Sequence, residues 1–338
     1  INEIQNSKII TENIIENIVK ICFVHRFKDV DEIIRSDSVL HLSTWINNYP
    51  EYFLKVTYLK YFGWLLSDTS NIVRSQVLKV LPNIMSIHSK KIDNAAVRQF
   101  FERFRQRILD IALKDVDLEV RLYSINILRE VAILGYLEDD EVLAISSLIF
   151  NDNDIKVSSH SKNSKFLSSV AKFLAKVTSE SCYDLLKNNE SLDDDMTPIK
   201  SSTLIKVGII MRFLSNSFLF YIQDASRLDP MEKLHILYQA AEFLSPYFGD
   251  QIVTICKLLS DDNTYEKAFR AIEAISKESE HSRLSSQEDN DPDTISYNTT
   301  PLLPTNNNNV ILYLTVLSGL CYGASSIKNQ QKSTVAES

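Results

Sequence analysis

Hydrophobic and polar positions recur along this chain in a register that a helix–turn–helix unit explains. An aspartate is followed by a β-branched residue five positions on, arginine at six, and aliphatic residues at ten and thirteen. Asp68, Val73, Arg74, Leu78 and Leu81 fit this template. So do Asp115, Val120, Arg121, Ile125 and Leu128, and Asp29, Ile34, Arg35, Val39 and Leu42. A weaker copy starts at Asp152 with Val157, where Ser158 replaces the arginine. The copies lie about 40 residues apart, the length of a two-helix unit of the HEAT or armadillo type. The aspartate is expected in the turn between the two helices, where its carboxylate accepts backbone N–H bonds and caps the second helix. Positions five, ten and thirteen form the buried stripe. The arginine can reach along the stack towards a neighbouring unit's acid. The predicted fold is all-α, a HEAT-repeat superhelical solenoid.

Helical spacing continues past Asp152 in residues 164–178, 203–221, 231–245, 250–260 and 264–277. Two polar breaks interrupt it. Asn188 to Ser202 is acidic, rich in Ser and Asn, and contains Pro198; Glu278 to Asn309 carries Pro292, Pro301, Pro304 and four consecutive asparagines. Such a composition does not bury enough apolar surface to order itself. The expected organisation is HEAT repeats over 1–136, a degenerate repeat over 137–187 and an acidic connector over 188–202. Further helical repeats follow over 203–277, a disordered linker over 278–309, a docking helix over 310–329 and a loose tail over 330–338.

Two helices carry unusual faces. With residues 57–66 on a helix, Tyr58, Leu59, Phe62, Leu65 and Leu66 gather on one side. Lys60 and Trp64, four apart, fall on the other. A tryptophan on a polar face either packs on an adjacent repeat or serves as a binding surface. Between Arg98 and Leu113, Phe100, Phe101, Phe104, Ile108 and Ile111 form a stripe. Arg103 and Arg107 flank it on one side, Arg98 and Arg105 on the other. These arginines either snorkel along the apolar stripe or grip a carboxylate or phosphate.

Composition narrows the class. The chain has 338 residues, 44% hydrophobic, with only 6 Gly and 8 Pro. Glycine-rich phosphate loops and many-turned β architectures need more glycine; long helices need little. The first residue is Ile1 rather than methionine, which points to a fragment or a processed product, and the start lacks the basic-then-apolar run of a signal peptide. The apolar run Val310 to Tyr322 is shorter than the ~20 residues that span a bilayer. Cys22, Cys182, Cys256 and Cys321 are scattered, so neither a disulfide framework nor a zinc site is indicated, and a reducing compartment fits.

Net charge is −8, yet Arg74 to Arg107 holds eight basic residues (Arg74, Lys79, Lys90, Lys91, Arg98, Arg103, Arg105, Arg107) against Asp93 and Glu102. A basic island on an acidic chain is either a solvated helix surface or an anion-binding face. The double lysine Lys90-Lys91 is expected in an interhelical loop. With Arg98 and Arg105 it forms a candidate patch for sequence-independent contact with double-stranded DNA. No nucleotide-binding, metalloprotease, hydrolase or redox motif is present, and His25, His41, His88, His160, His235 and His281 lie far apart in sequence. No catalytic residue, metal, cofactor or small-molecule substrate is therefore expected.

The blocks Phe23-Val-His-Arg-Phe-Lys-Asp29, Tyr58-Leu-Lys-Tyr-Phe-Gly-Trp64, Val73-Arg74 and Arg103-Phe-Arg-Gln-Arg107 resemble the conserved domain of the stromal-antigen (stromalin) subunit of cohesin. The resemblance runs from about Phe23 to about Tyr136. It implies a nuclear, chromosome-associated HEAT-repeat scaffold that binds the kleisin of the cohesin ring, contacts DNA, and takes regulator peptides with paired aromatics. On matching positions the peptide groove comprises Phe27, Lys28, Lys60, Trp64 and Arg103. The family often has tyrosine where this chain has Phe27, so a hydroxyl bond to the peptide is lost while the stacking surface stays. Val56 stands where the family often has an acidic or polar residue. The alternative is a HEAT scaffold of another complex, such as a condensin-type, transport-receptor or phosphatase-scaffold subunit.

Overall fold

The computed structural model describes residues 2–91, 95–150, 161–188, 198–224, 229–248, 311–312 and 314–325. All elements among them are helical, and no strand occurs among the described residues. The chain divides into two compact units, Ile1–Val131 and Ala132–Ser338.

In the first unit, α1 (Asn2–Ile18) runs into a π-helical turn (Val19–Phe23) and the short α2 (Val24–Arg26). Then come α3 (Glu32–Asn48), α4 (Pro50–Phe53), α5 (Val56–Leu65), α6 (Asn71–Lys91), α7 (Ala95–Lys114) and α8 (Leu118–Ile133). Successive repeats stack in two layers: α3 packs on α6, and α5 packs on α7. The template's apolar positions supply the interior. Val39, Leu42, Val73, Leu78, Leu81, Val120, Ile125 and Leu128 are all at most 1% exposed, while Ile34 is half-buried.

Two of the template arginines, Arg35 and Arg74, join one repeat to the next. Arg35 donates from Nε and Nη2 to the Asp68 carboxylate at 2.8 and 2.7 Å, and from Nη1 to the carbonyls of Asp29 and Val30 in its own turn. Arg74 repeats the arrangement one unit on. Its Nε and Nη2 reach Asp115 at 2.8 and 2.9 Å, and Nη1 reaches the carbonyls of Asp68 and Thr69. Arg121 donates from Nε to the Ala112 carbonyl. The fourth template copy, at Asp152, lies outside the described residues.

One expectation is corrected here. The template aspartate does not cap the second helix; it sits two residues ahead of the cap. Asp29, Asp68 and Asp115 accept the N–H of Asp31, Ser70 and Asp117, closing an Asx-type turn. Asp31 and Asp117 then do the capping, accepting from Ile33 and Glu119. The aspartates at 68 and 115 are committed to the previous repeat's arginine, so the cap falls to the next suitable residue.

The second unit contains α9 (Asp139–Ser147), a 3₁₀ turn (Leu148–Phe150), α10 (Ser161–Asn188), α11 (Pro198–Asp224) and α12 (Pro230–Leu244). A last helix, α13, is described over 311–312 and 314–325. Capping boxes start α9 at Glu138 with Glu141, and α12 at Asp229 with Glu232. α11 packs against both α9 and α10. It begins at Pro198, inside the stretch read from sequence as connector, because proline is pre-organised for the first helical position. α13 lies against α12 with Val316 and Leu320 fully buried, and Ser245 Oγ donates to the Leu320 carbonyl at 2.9 Å. The segments expected at 250–260 and 264–277 and the linker at 278–309 lie outside the described residues. Among the described residues, no helix is long and apolar enough to cross a membrane.

Candidate functional site

The most unusual surface in the first unit is built around Trp64. The π-helical turn adds a residue to the helical turn before α2. Phe23 and Phe27 then stack at 5.9 Å with an interplanar angle of 13°. From α5, Tyr61 meets both rings edge-on, at 5.0 and 4.8 Å. Trp64 caps the cluster, 6.1 Å from Phe27 in a stacked arrangement and 5.5 Å from Tyr61 edge-on. Burial grades outward: Phe27 is 2% exposed and Trp64 43%. Burial also pushes the Tyr61 phenol above its ordinary pKa, so it stays neutral. The indole thus has a rigid aromatic floor and an open outer face.

Two lysines flank that face. Lys60 Nζ lies 5.3 Å from the centroids of both Trp64 and Tyr61. Lys28 Nζ lies 5.4 Å from Phe27 and 6.0 Å from Trp64. Arg103 sits on α7 with its guanidinium 5.3 Å over Phe104. Lys28, Lys60 and Arg103 make no ion pair among the described residues. The neighbouring Asp29 is already engaged: the Asp31 N–H and then the Arg26 guanidinium hold its carboxyl below the usual range. The surface therefore offers an aromatic platform with uncompensated positive charge, fitted to aromatic and anionic groups.

Of the sequence-predicted groove residues, Phe27, Lys28, Lys60 and Trp64 come together through direct contacts. Phe27, however, is floor rather than contact surface, because Trp64 and Tyr61 cover its ring. Val56 is partly exposed at the start of α5. The positions read as a DNA patch are placed differently from expectation. Lys90 and Lys91 belong to the last turn of α6 rather than to an interhelical loop. Arg98 is exposed and Arg105 half-buried on α7, and both are already engaged in contacts. Arg107 donates to the Leu66 carbonyl from Nε and Nη2, both at 3.3 Å, so it ties α7 to the end of α5.

No cluster of His, Cys, Asp and Glu suited to a metal occurs among the described residues. A cavity of about 410 Å³ is lined by Arg74, Arg107, Asp110, Lys114 and Asp115. Its charges are largely paired internally, Arg74 with Asp115 and Lys114 with Asp110. No nucleophile with an adjacent base lines it.

Residues 28–105, which hold this surface apart from Phe23 and Phe27, match the family model of the stromalin conservative domain. The full chain is 47% identical over 341 residues to the cohesin subunit SCC3 of Saccharomyces cerevisiae, covering 100% of this chain and 29% of that protein. The chain belongs to the stromalin family. A second relative, the cohesin subunit psc3 of Schizosaccharomyces pombe, is 39% identical over 131 residues, which is 39% of this chain and 13% of that protein. Among solved structures, the cohesin subunit Scc3 from Z. rouxii superposes with a TM-score of 0.74 at 50% identity, covering 96% of this chain and 32% of that one. The chain thus spans less than a third of these stromalin relatives, and the all-α helical-repeat fold is shared with them.

Sequence reasoning found Trp64 and Lys60 from their spacing but missed Phe23 and Tyr61 beneath them. It also missed the contact between Gly63 and Phe104. The readable signal for that contact was a glycine inside an otherwise apolar helix.

Proposed function

We propose that this chain is a non-catalytic scaffold segment of cohesin, nuclear and chromosome-associated, that supports sister-chromatid cohesion and chromosome organisation. In this reading it takes regulator peptides with paired aromatics on the Trp64 surface, holds the kleisin along its helical repeats, and contacts double-stranded DNA without reading sequence. The observation that carries it is the half-exposed Trp64 on an aromatic floor, flanked by Lys28 and Lys60 with no carboxylate partner. Aromatic side chains of a peptide stack on such a platform, and acidic or carbonyl groups meet the ammonium groups. Arg103 extends the same surface from α7. The names of the relatives, all cohesin subunits, support the assembly and displace the alternative of a condensin-type, transport-receptor or phosphatase scaffold.

Fluorescence anisotropy with a labelled peptide carrying two phenylalanines one residue apart tests the groove. Trp64→Ala is expected to abolish binding. It should lower stability by only about 2 kcal/mol, because roughly half of the ring is exposed and full burial of a tryptophan is worth about 3–5 kcal/mol. Unchanged peptide affinity in that variant overturns the groove. For the kleisin, co-elution of the purified chain with kleisin fragments is the check; failure of every fragment to co-elute removes that partner.

A further inference from the structure

We infer that Gly63 and Phe104 together act as the positioning device of the Trp64 surface, setting where the Arg103 guanidinium stands. The functional half of this inference rests on the peptide-binding reading above; the geometric half does not. Gly63 precedes Trp64 in the interior of α5, and a Cβ placed on it would run into the ring of Phe104. The ring therefore lies directly on the bare backbone of α5 where that helix packs on α7. Phe100 stands 5.1 Å from Phe104 by ring centroids, which limits where the ring can retreat. Arg103 is the residue before Phe104, and its guanidinium sits 5.3 Å over that same ring.

The three cations of the candidate groove thus divide into two kinds. Lys28 and Lys60 touch Trp64 directly, through elements that do not involve α7. Arg103 is referred to the surface through Phe104 and the gap left by glycine. A helix-interior glycine is disfavoured against alanine by about 1 kcal/mol. Its presence in so apolar a helix is accounted for by the close approach it permits. Adding one methyl group at position 63 forces the Phe104 ring to turn or α7 to move outward. Either response carries the Arg103 guanidinium away while leaving both lysines on the indole.

The first test needs no ligand. In a Trp45→Phe background, Trp64 is the only tryptophan left. The ratio of iodide to caesium quenching then reports the local positive charge at its indole. One unit charge about a Debye length away changes this ratio about twofold. Arg103→Ala, Gly63→Ala and the milder Phe104→Leu should each lower it by that factor. Gly63→Ala and Phe104→Leu should have no further effect once Arg103 is alanine. A ratio unchanged by both Gly63→Ala and Phe104→Leu, or one that falls equally in the Arg103→Ala background, overturns the inference. The second test adds the labelled Phe-x-Phe peptide. Affinity should fall by a common factor in the three single variants and no further in the doubles, with circular dichroism unchanged. If Trp64→Ala leaves peptide affinity intact, the binding reading fails while the quenching result still decides the positioning. If Trp64→Ala abolishes binding but Gly63→Ala and Phe104→Leu do not weaken it, the positioning role fails alone.

Discussion

Replacing Asp115 with alanine removes one rung of the arginine ladder, and the structure sets the size of the effect. The Arg74 side chain is 12% exposed and that of Asp115 6%, so water cannot readily replace the lost carboxylate. Arg74 makes four N–H···O contacts, and two of them end on Asp115. Removing one partner of a buried pair leaves an uncompensated charge and costs about 3–5 kcal/mol. Asp115 Oδ1 also accepts the Asp117 N–H at 3.0 Å, and losing that bond adds about 1 kcal/mol. A total near 5 kcal/mol, with a urea slope of about 2 kcal/mol per molar, moves the midpoint down by about 2.5 M. Both tryptophans, Trp45 and Trp64, lie in the unit Ile1–Val131, so their fluorescence follows this unit alone. Arg74→Leu combined with Asp115→Ala removes the stranded charge and should recover part of the loss, giving a coupling of about 2–3 kcal/mol. Lys114→Ala serves as the control. Its ion pair with Asp110 is 3.4 Å long and its side chain 76% exposed, so the change should stay within about 0.5 kcal/mol. If Asp115→Ala shifts the midpoint no more than Lys114→Ala does, the ladder is decoration and the apolar stripe alone holds the repeats together.

Three further outcomes are expected. Burial raises the Asp68 pKa, but the Arg35 side chain and the Ser70 N–H outweigh it and hold the carboxyl below its ordinary 3.8. A depressed folded-state pKa contributes stability that is complete above 3.8 and is lost as pH falls through the folded value. Acid unfolding followed by tryptophan fluorescence should therefore steepen below that pH in the parent chain and flatten in Asp68→Asn; equal acid sensitivity would falsify the assignment. Gly319→Ala places a Cβ 2.6 Å from the Tyr238 carbonyl and 2.9 Å from Ala241 Cβ, so α13 should lift from α12 at a cost of about 1–3 kcal/mol. Hydrogen exchange in 314–325 should quicken, and unchanged protection would refute the close packing. Reversing Lys90, Lys91, Arg98 and Arg105 to glutamate should weaken binding to unrelated duplexes equally and remove a log–log salt slope of about −3 to −4; unaltered affinity returns these residues to a solvated surface.

The repeat was legible because burial imposes a periodic demand that sequence cannot disguise. Val73, Leu78 and Leu81 meet the same requirement as Val120, Ile125 and Leu128, so the same residue types recur at the same offsets. The arginine at the sixth position was legible for a related reason: a bidentate partner at a fixed axial distance needs one residue type in one place. The division of labour between Asp29 and Asp31, or Asp115 and Asp117, was not. Both members of each pair are good caps by type, and only the point where the backbone leaves the helical region decides between them. Lys90 and Lys91 were misplaced through the same weakness, since no glycine or proline closes α6 before Lys91.

The Trp64 surface divides along a similar line. Lys60 and Trp64 could be paired from sequence because they are four apart on one helix, where geometry is local. Phe27 could not be read as a floor, since its place depends on a π-helical turn that leaves no compositional mark and on a ring from α5. Surfaces on helical repeats are assembled from residues of successive units, so most of their geometry lies in inter-repeat packing rather than in any short motif. Gly63 is the exception that shows how such packing can surface in sequence. Alanine would serve α5 better by propensity, and no turn or positive φ calls for glycine there. A residue that weakens its own helix is kept for a contact made elsewhere, and the partner here is the Phe104 ring of α7. In this chain the inter-repeat part of the site was therefore announced by a local cost, and the same inference applies to Gly319 and Gly323, whose missing side chains admit the backbone of α12.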